Sequence, residues 1–159
     1  MKALMLAAGL LALSAGPLAA DTAGGTAISP NSLTWKPSTA LPKGAEVAVL
    51  FGDPAKPGLV VMRLKFPPNY KIAPHMHDSD ETGTVLSGSY TRAMGEKFDT
   101  SKGDKLAVGY FFLNPAHHAH YAWTGDEAVI VQLQVIGPWT ITYVNPADDP
   151  RNQAKAGHS

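Results

Sequence analysis

Four residues have the types and the spacing of a metal-binding site. His75 and His77 are separated by one residue, Glu81 follows four residues after His77, and His120 lies far along the chain. Imidazole nitrogens and carboxylate oxygens are the ligands that borderline divalent metals prefer. The chain contains no cysteine, so its metal ligands are restricted to nitrogen and oxygen atoms. We therefore predict a metal site of three histidines and one glutamate.

A β-structure would bring these four side chains together. Residues i and i+2 of a strand project from the same face, so His75 and His77 can point at one ion. Glu81 is expected to begin the next strand after a short turn, and His120 to begin a distant strand that only the tertiary fold brings near. An ion of octahedral preference would keep two open positions for water, dioxygen or substrate.

Other polar residues near the ligands are candidates for catalysis. His118 shares a strand face with His120 if that strand begins early enough, and histidine transfers protons near neutral pH. We therefore name Glu81 and His118 as catalytic candidates; the alternative for His118 is a turn residue that faces solvent. We interpret Asp78 and Asp80 as turn residues that face water.

Two further pairs are candidates for substrate binding. Tyr90 and Arg92 lie on one predicted strand and could orient an anionic substrate; the alternative is an outward-facing polar pair. Gln132 and Gln134 alternate with apolar residues in the segment 128–136. If their face lines the interior of the fold, these amides would hydrogen-bond substrate or metal-bound water.

The elements that must position these residues are short strands. Segments rich in Val, Ile, Tyr, Phe and Thr alternate with Gly, Pro, Asn and Asp, and no segment shows a long helical period. This pattern predicts an all-β fold, either an antiparallel sandwich or a barrel. The predicted strands cover residues 47–51, 59–66, 82–86, 90–94, 106–113, 120–123, 128–136 and 139–144.

The chain divides into four predicted regions. Residues 1–20, with Lys2 before an apolar run, are typical of a Sec-type signal peptide, so the protein is expected to be periplasmic or secreted. An uncleaved anchor is the alternative, but the run is short for a bilayer span. Residues 21–46 predict an extended N-terminal arm, 47–147 one barrel domain, and 148–159 a polar tail.

The composition excludes several classes of partner. The 159 residues include 13 basic and 13 acidic side chains, which gives no electrostatic footprint for nucleic acid or, after signal cleavage, for a membrane. An exported protein without disulfides must be stable through its core alone.

The pattern of residues 69–124 resembles the cupin superfamily. Its first motif is Gly, five residues, His-x-His, three or four residues, Glu, six residues, Gly; its second is Gly, five residues, Pro-x-Gly, two residues, His, three residues, Asn. Asn69 stands at the first glycine of the pattern, and His117 and Thr124 replace a glycine and an asparagine of the second motif. The matching residues are His75, His77, Glu81, Gly88, Gly109, Pro115 and His120.

This resemblance implies a single-domain jelly-roll β-barrel with a divalent metal inside, commonly Fe, Mn, Ni or Zn, and often a homodimer. Segments 52–54 and 137–148 also look like those of small exported bacterial proteins of the cupin-2 type. Because tight nitrogen and oxygen sites favour copper and zinc over iron and manganese, we expect substantial zinc in protein isolated from the periplasm.

The expected function is an exported metal-binding cupin that acts on a small organic molecule, with an oxygen-dependent oxidation as the favoured reaction. One alternative is a non-catalytic cupin that binds or senses a small ligand or a metal, or whose metal only stabilises the barrel. Another is an isomerase, a decarboxylase or a lactone-opening enzyme. An accessible metal with a nearby acid or base would indicate catalysis, and a closed tetrahedral site a structural role.

Overall fold

The computed structural model describes residues 25–152; the predicted signal peptide and residues 153–159 of the predicted tail lie outside this range. Within it the chain forms short 3₁₀ helices at Pro30–Ser32 and Pro146–Asp148, and no helix long and apolar enough to cross a membrane. The strands are β1 (Lys36–Pro37), β2 (Glu46–Phe51), β3 (Gly58–Phe66), β4 (Lys71–Met76), β5 (Glu81–Ser87), β6 (Tyr90–Met94), β7 (Asp104–Leu106), β8 (Phe111–Asn114), β9 (His120–Thr124), β10 (Val129–Gly137) and β11 (Thr142–Tyr143).

The strands form two antiparallel sheets that face each other. One sheet has the order β1-β2-β3-β10-β5-β8, and the other has the order β11-β4-β9-β6-β7. From β3 onward every connection except that between β6 and β7 passes from one sheet to the other, which is the wrapping of a jelly roll. The predicted all-β jelly-roll fold is therefore confirmed. β1, inside the predicted N-terminal arm, pairs with β2.

Strict alternation of buried residues builds the core between the sheets. β3 buries every second side chain, and its partner β10 does the same. A fully buried side chain of this type contributes about 1.5–3 kcal/mol, so the apolar interior stabilises the fold without disulfides. The buried residues of these two strands are Val60, Met62, Leu64, Phe66, Val129, Val131, Leu133 and Val135.

A bulge in β4 decides which way the histidines point. Ile72 pairs with Ala122 and His75 pairs with His120, so three steps along β4 match two steps along β9. Side chains alternate along a strand, and the extra residue therefore turns His75 to the same interior side as Ile72. Pro74, which lacks a backbone N–H, lies inside this irregular stretch, where proline is tolerated in a sheet.

The predicted strand over residues 106–113 is wrong in one respect. The chain forms two separate strands there, β7 and β8, which belong to different sheets. Gly109 lies between them with φ of 88°, and its N–H donates to the carbonyl of Val85. An apolar composition alone does not reveal such a turn, because the side chains on both sides of it are β-formers.

Candidate metal centre

Three histidines converge in the interior of the barrel. His75 lies on β4, His77 directly follows β4, and His120 begins β9. Their side chains are buried, and one ligand nitrogen from each lies within 4.8 Å of the others. Ligands about 2.1 Å from one zinc ion lie roughly 3–4 Å apart. Small ring rotations would therefore bring all three nitrogens to a single ion, and the structure supports the predicted histidine ligands.

Backbone carbonyls fix the tautomer of each imidazole. The Nδ1 atoms of His75, His77 and His120 lie 2.8, 2.5 and 3.2 Å from the carbonyl oxygens of Ala73, Thr140 and His118 respectively. A carbonyl only accepts, so each Nδ1 carries the proton and each Nε2 keeps its lone pair. Such a hydrogen bond to the ring nitrogen that does not bind the ion is the usual arrangement of a metal-binding histidine.

Two of these Nε2 atoms have no hydrogen-bond partner among the residues that the structure describes. His77 Nε2 and His120 Nε2 are buried and accept no hydrogen bond from the described residues. A buried acceptor without a partner costs about 1–3 kcal/mol. A cation between the rings would satisfy both lone pairs, so the residues present fit a divalent metal.

Burial also favours the neutral imidazole that a metal requires. The pKa of His75 lies well below its ordinary value, because burial disfavours the charged ring and because His120 and His77 lie close by. Burial likewise lowers the pKa of His120, against the opposing effect of Glu81. Both rings therefore present a lone pair rather than a proton at neutral pH.

Glu81 stands beside the three histidines. Its Oε2 lies 3.4 Å from His77 Nε2, and its Oε1 lies 3.9 Å from His120 Nε2. Asn114 Nδ2 donates to Oε1 at 2.9 Å, and Trp139 Nε1 donates to Oε2 at 3.3 Å. These two donors aim the carboxylate at the histidines, where it can act as a fourth ligand or as a proton acceptor.

Arg92 reaches the centre through Asn114 and not directly. Its Nη1 donates to Asn114 Oδ1 and, at 3.2 Å, to the carbonyl of Leu113. Because Asn114 Oδ1 accepts from Arg92, the amide nitrogen of Asn114 is turned toward Glu81. Asn114 follows the predicted strand 106–113 and was not among the predicted site residues. It joins the site because the fold buries its side chain beside Glu81, which no local sequence pattern indicates.

Tyr90 and His118, two other predicted pocket residues, lie in different surroundings. Tyr90 is buried in the apolar core and stacks against Phe66, and burial raises the pKa of its hydroxyl. His118 is exposed, with Nδ1 2.9 Å from the carbonyl of Ala116. β9 begins only at His120, so the early strand start that would place His118 beside it does not occur.

The amide face of β10 does not line the interior. Val131, Leu133 and Val135 point into the barrel, and strand alternation sends Gln132 and Gln134 to its outer side. There Gln132 Oε1 accepts from Arg63 Nε at 3.1 Å, and the carbonyl of Gln134 accepts from Thr82 Oγ1 at 3.0 Å. Gln132 and Gln134 were predicted to contact substrate only if their face lined the interior, and in the structure that face lies outside.

The segment 138–141 between β10 and β11 closes one side of the centre. Trp139 stacks on His77, with ring centroids 5.6 Å apart and an interplanar angle of 22°. Thr140 accepts from His77 through its carbonyl, and its hydroxyl donates to Asp78 Oδ2 at 2.8 Å. Asp78 and Asp80 are both exposed, and Asp80 accepts from the backbone of Ala116.

Comparison with known proteins supports the fold. Several solved structures resemble the chain at low identity. A polyketide cyclase, RemF from Streptomyces resistomycificus, has a TM-score of 0.64 at 17% identity and covers 83% of this chain and 94% of its own. A predicted oxalate decarboxylase from Thermotoga maritima has a TM-score of 0.55 at 17% identity, with 70% and 98% covered. An oxalate oxidase in complex with glycolate has a TM-score of 0.51 at 20% identity, with 67% and 58% covered.

Sequence comparison gives one family and no curated relative. No curated protein matches the chain. Residues 23–138 match the family model described as the ChrR cupin-like domain, which covers all strands from β1 to β10 and all four predicted metal ligands.

Proposed function

The chain belongs to the ChrR cupin-like domain family, and on this premise we propose that it is a metal-dependent cupin acting on a small organic molecule. The observation that carries the proposal is the convergence of three imidazoles whose Nδ1 atoms are all occupied by carbonyls. Each ring is thereby oriented with its Nε2 lone pair available to one shared ion.

Each residue of the centre has a distinct role in this proposal. His75, His77 and His120 would hold a divalent ion, and that ion would supply Lewis acidity to an oxygen atom of the substrate. Glu81 faces the same space and exchanges a proton with the substrate or completes the ligand set. Asn114, oriented by Arg92, keeps the carboxylate of Glu81 directed at the histidines.

An oxygen-dependent oxidation is the reaction we propose to test first. Similar folds occur in proteins described as an oxalate oxidase, a predicted oxalate decarboxylase and a polyketide cyclase, all named for small organic substrates. Their low identity shows the fold alone, so the reaction depends on the site chemistry. The predicted signal peptide adds the proposal that this chemistry takes place outside the cytoplasm.

Metal binding tests the premise of the proposal. We expect the purified metal-free protein to bind one equivalent of Zn²⁺ or Fe²⁺, measured by elemental analysis and by competition with a chelating dye. His120→Ala should lower the affinity at least 100-fold, because it removes one of three nitrogen ligands. His118→Ala is the matched control, since His118 is exposed two residues away. Equal metal affinity in His120→Ala and His118→Ala would contradict the assignment of His120 as a metal ligand.

Catalysis is tested with the metal-loaded protein. We expect Fe²⁺-loaded protein to consume oxygen with at least one member of a panel of catechols, thiols and keto acids. Glu81→Gln, assayed at a metal concentration that saturates its site, should lose most of the turnover, because the amide cannot accept a proton. Equal oxygen uptake by the native protein and Glu81→Gln would contradict a role of Glu81 in the reaction.

A non-catalytic binding protein is the second candidate, favoured by the burial of the centre. His77 Nε2 and His120 Nε2 are both shielded from solvent in this structure. If the ion is purely structural, Mn²⁺ in the site will show no exchangeable water in proton relaxation measurements. No turnover with Fe²⁺, Mn²⁺, Ni²⁺ or Zn²⁺, combined with that result, would indicate a non-catalytic protein whose metal only stabilises the barrel.

A further inference from the structure

A small apolar cavity lies between the N-terminal arm and the β2 side of the barrel. Its volume is about 240 Å³. Val47 and Val49 pair with Leu64 and Met62, whose side chains are buried in the core, so all four point to the same side of the sheet. The cavity is thus an extension of the barrel interior. Its walls include Ala40, Val47, Val49, Pro54, Met62 and Trp139.

The walls show what kind of ligand the cavity suits. None of the described residues that line it carries a charge. Val49 is 46% exposed although it points to the same side as Met62, which is completely buried. An apolar side chain left open on the interior side of a sheet provides a surface that an uncharged apolar group can cover.

Trp139 joins this cavity to the metal centre. The indole lines the cavity, stacks on the ring of His77 at 5.6 Å, and donates through Nε1 to Glu81 Oε2 at 3.3 Å. The cavity and the histidine cluster are therefore separated by one aromatic ring. Trp139 is half-buried and lies in the irregular segment 138–141; its backbone N–H donates to the carbonyl of Pro54 at 2.8 Å, so a movement here concerns the indole side chain and not the backbone.

We propose that this cavity is the subsite for the apolar part of a ligand whose oxygen-bearing end lies at the metal centre, with Trp139 as the partition that moves when the ligand spans both. The proposal rests on the proposed function, because it assigns a substrate class to that same centre. The class is a small molecule with a metal-coordinating oxygen head joined to one uncharged ring or a short branched chain. The 240 Å³ of the cavity accommodates a group of that size.

Two hydroxamates that differ only in their apolar part test the subsite. Benzohydroxamate carries a phenyl ring and acetohydroxamate a methyl group, and both present the same two oxygen atoms to a metal. Binding to Co²⁺-loaded protein is followed by the visible spectrum of the ion. We expect benzohydroxamate to bind at least tenfold more tightly than acetohydroxamate, because only the phenyl ring reaches the cavity.

Variants that fill the cavity distinguish binding of the apolar part of the ligand from binding of its oxygen-bearing end. Val49→Phe and, from the arm, Ala40→Leu should each lower benzohydroxamate affinity at least tenfold and leave acetohydroxamate affinity unchanged. Ile136→Phe is the control, because Ile136 is 59% exposed and does not line this cavity. Two filling variants from different elements keep the test valid if one of them fails to fold.

The outcomes of these measurements distinguish a failure of the cavity subsite from a failure of the proposed metal centre. Failure of the native protein to bind Co²⁺ would overturn the proposed metal centre itself. Tight Co²⁺ binding with equal affinity for the two hydroxamates, or with no spectral response to either, would overturn the subsite and leave the metal centre intact. If Val49→Phe and Ala40→Leu lowered the affinity for both hydroxamates, the subsite would also be contradicted. The variants would then disturb binding of the hydroxamate group that both compounds share, and not of the phenyl ring.

Discussion

At the scale of single residues, the candidate metal centre is organised by groups that are not among the candidate ligands. Carbonyls from three different places, the β4 bulge, the loop before β9 and the segment after β10, each hold one imidazole. A ring held by a carbonyl loses the freedom to rotate and to change tautomer, so little ordering remains to be done when an ion binds. Glu81 is held in the same manner by two side-chain donors.

Asn114 should therefore influence metal affinity without being a ligand. We expect Asn114→Ala to weaken Zn²⁺ binding by about 10–100-fold, the usual effect of removing a group that orients a ligand. The variant deprives Glu81 Oε1 of its donor and leaves the guanidinium of Arg92 without Asn114 Oδ1. The measurement is competition with a chelating dye at neutral pH.

The control for this prediction is Asn31→Ala, since Asn31 is exposed in the 3₁₀ helix Pro30–Ser32, far along the chain from the centre. Urea unfolding of both variants separates a weaker site from a weaker fold. A native affinity in Asn114→Ala would show that Glu81 needs no support from the amide.

At the scale of elements, sequence periodicity predicted that His75 and His77 share a face, but not which face. Alternation relates residues within one strand, and the face toward the core depends on the β4 bulge, which only the pairing with β9 reveals. The same limit applies to Gln132 and Gln134: the alternation was evident, and the orientation of the strand was not. The fold could be predicted because many strands and two motifs agreed, whereas Trp139 and Asn114 become site residues only through long-range packing.

The pairing of β5 with β8 depends on Gly83, whose missing side chain makes room for a ring. A Cβ at Gly83 would overlap the ring of Phe112, the residue opposite it on β8. We expect Gly83→Ala to lower the free energy of unfolding by about 1–3 kcal/mol, the usual cost of overpacking a core. Urea unfolding of the metal-free protein measures the change.

Gly125→Ala is the matched control, because a Cβ there would meet no atom within 4 Å. Its free energy of unfolding should change by less than about 0.5 kcal/mol, as for an ordinary surface substitution. A loss of equal size in both variants would show that backbone freedom, and not the Phe112 ring, determines the effect.

At the scale of the whole molecule, one interior serves two purposes that oppose each other. The two sheets bury an apolar core that stabilises a chain without cysteine, and the same interior buries three histidines and a glutamate. Buried polar groups without partners reduce stability, so a bound metal should raise it. The homodimer implied by the cupin resemblance stays a prediction. Exposed apolar side chains could pack against a second copy of the chain, so sedimentation should be used to measure the oligomeric state; they include Phe51, Leu59, Phe111 and Ile136.

The metal-free protein should lose stability as the pH falls below neutral. Burial lowers the folded-state pKa of His75 and His120 below the ordinary value of about 6.5 that both have in the unfolded chain. The stability contributed by these neutral rings is present above that unfolded pKa. As the pH falls below it, the unfolded chain takes up protons that the folded chain does not, and each such proton costs up to about 1.4 kcal/mol per pH unit.

Urea unfolding of the metal-free protein at pH 7.5, 6.5 and 5.5 measures this slope, over a range in which ordinary carboxyl groups stay ionised. We expect a falling free energy of unfolding, and a shallower fall in His120→Gln, which removes one of the rings whose pKa burial lowers. Asn31→Ala, which changes an exposed side chain that does not titrate, should follow the native curve. A curve that stays flat down to pH 5.5 would mean that the buried histidines accept protons in the folded protein, and that the interior is open to water without its metal.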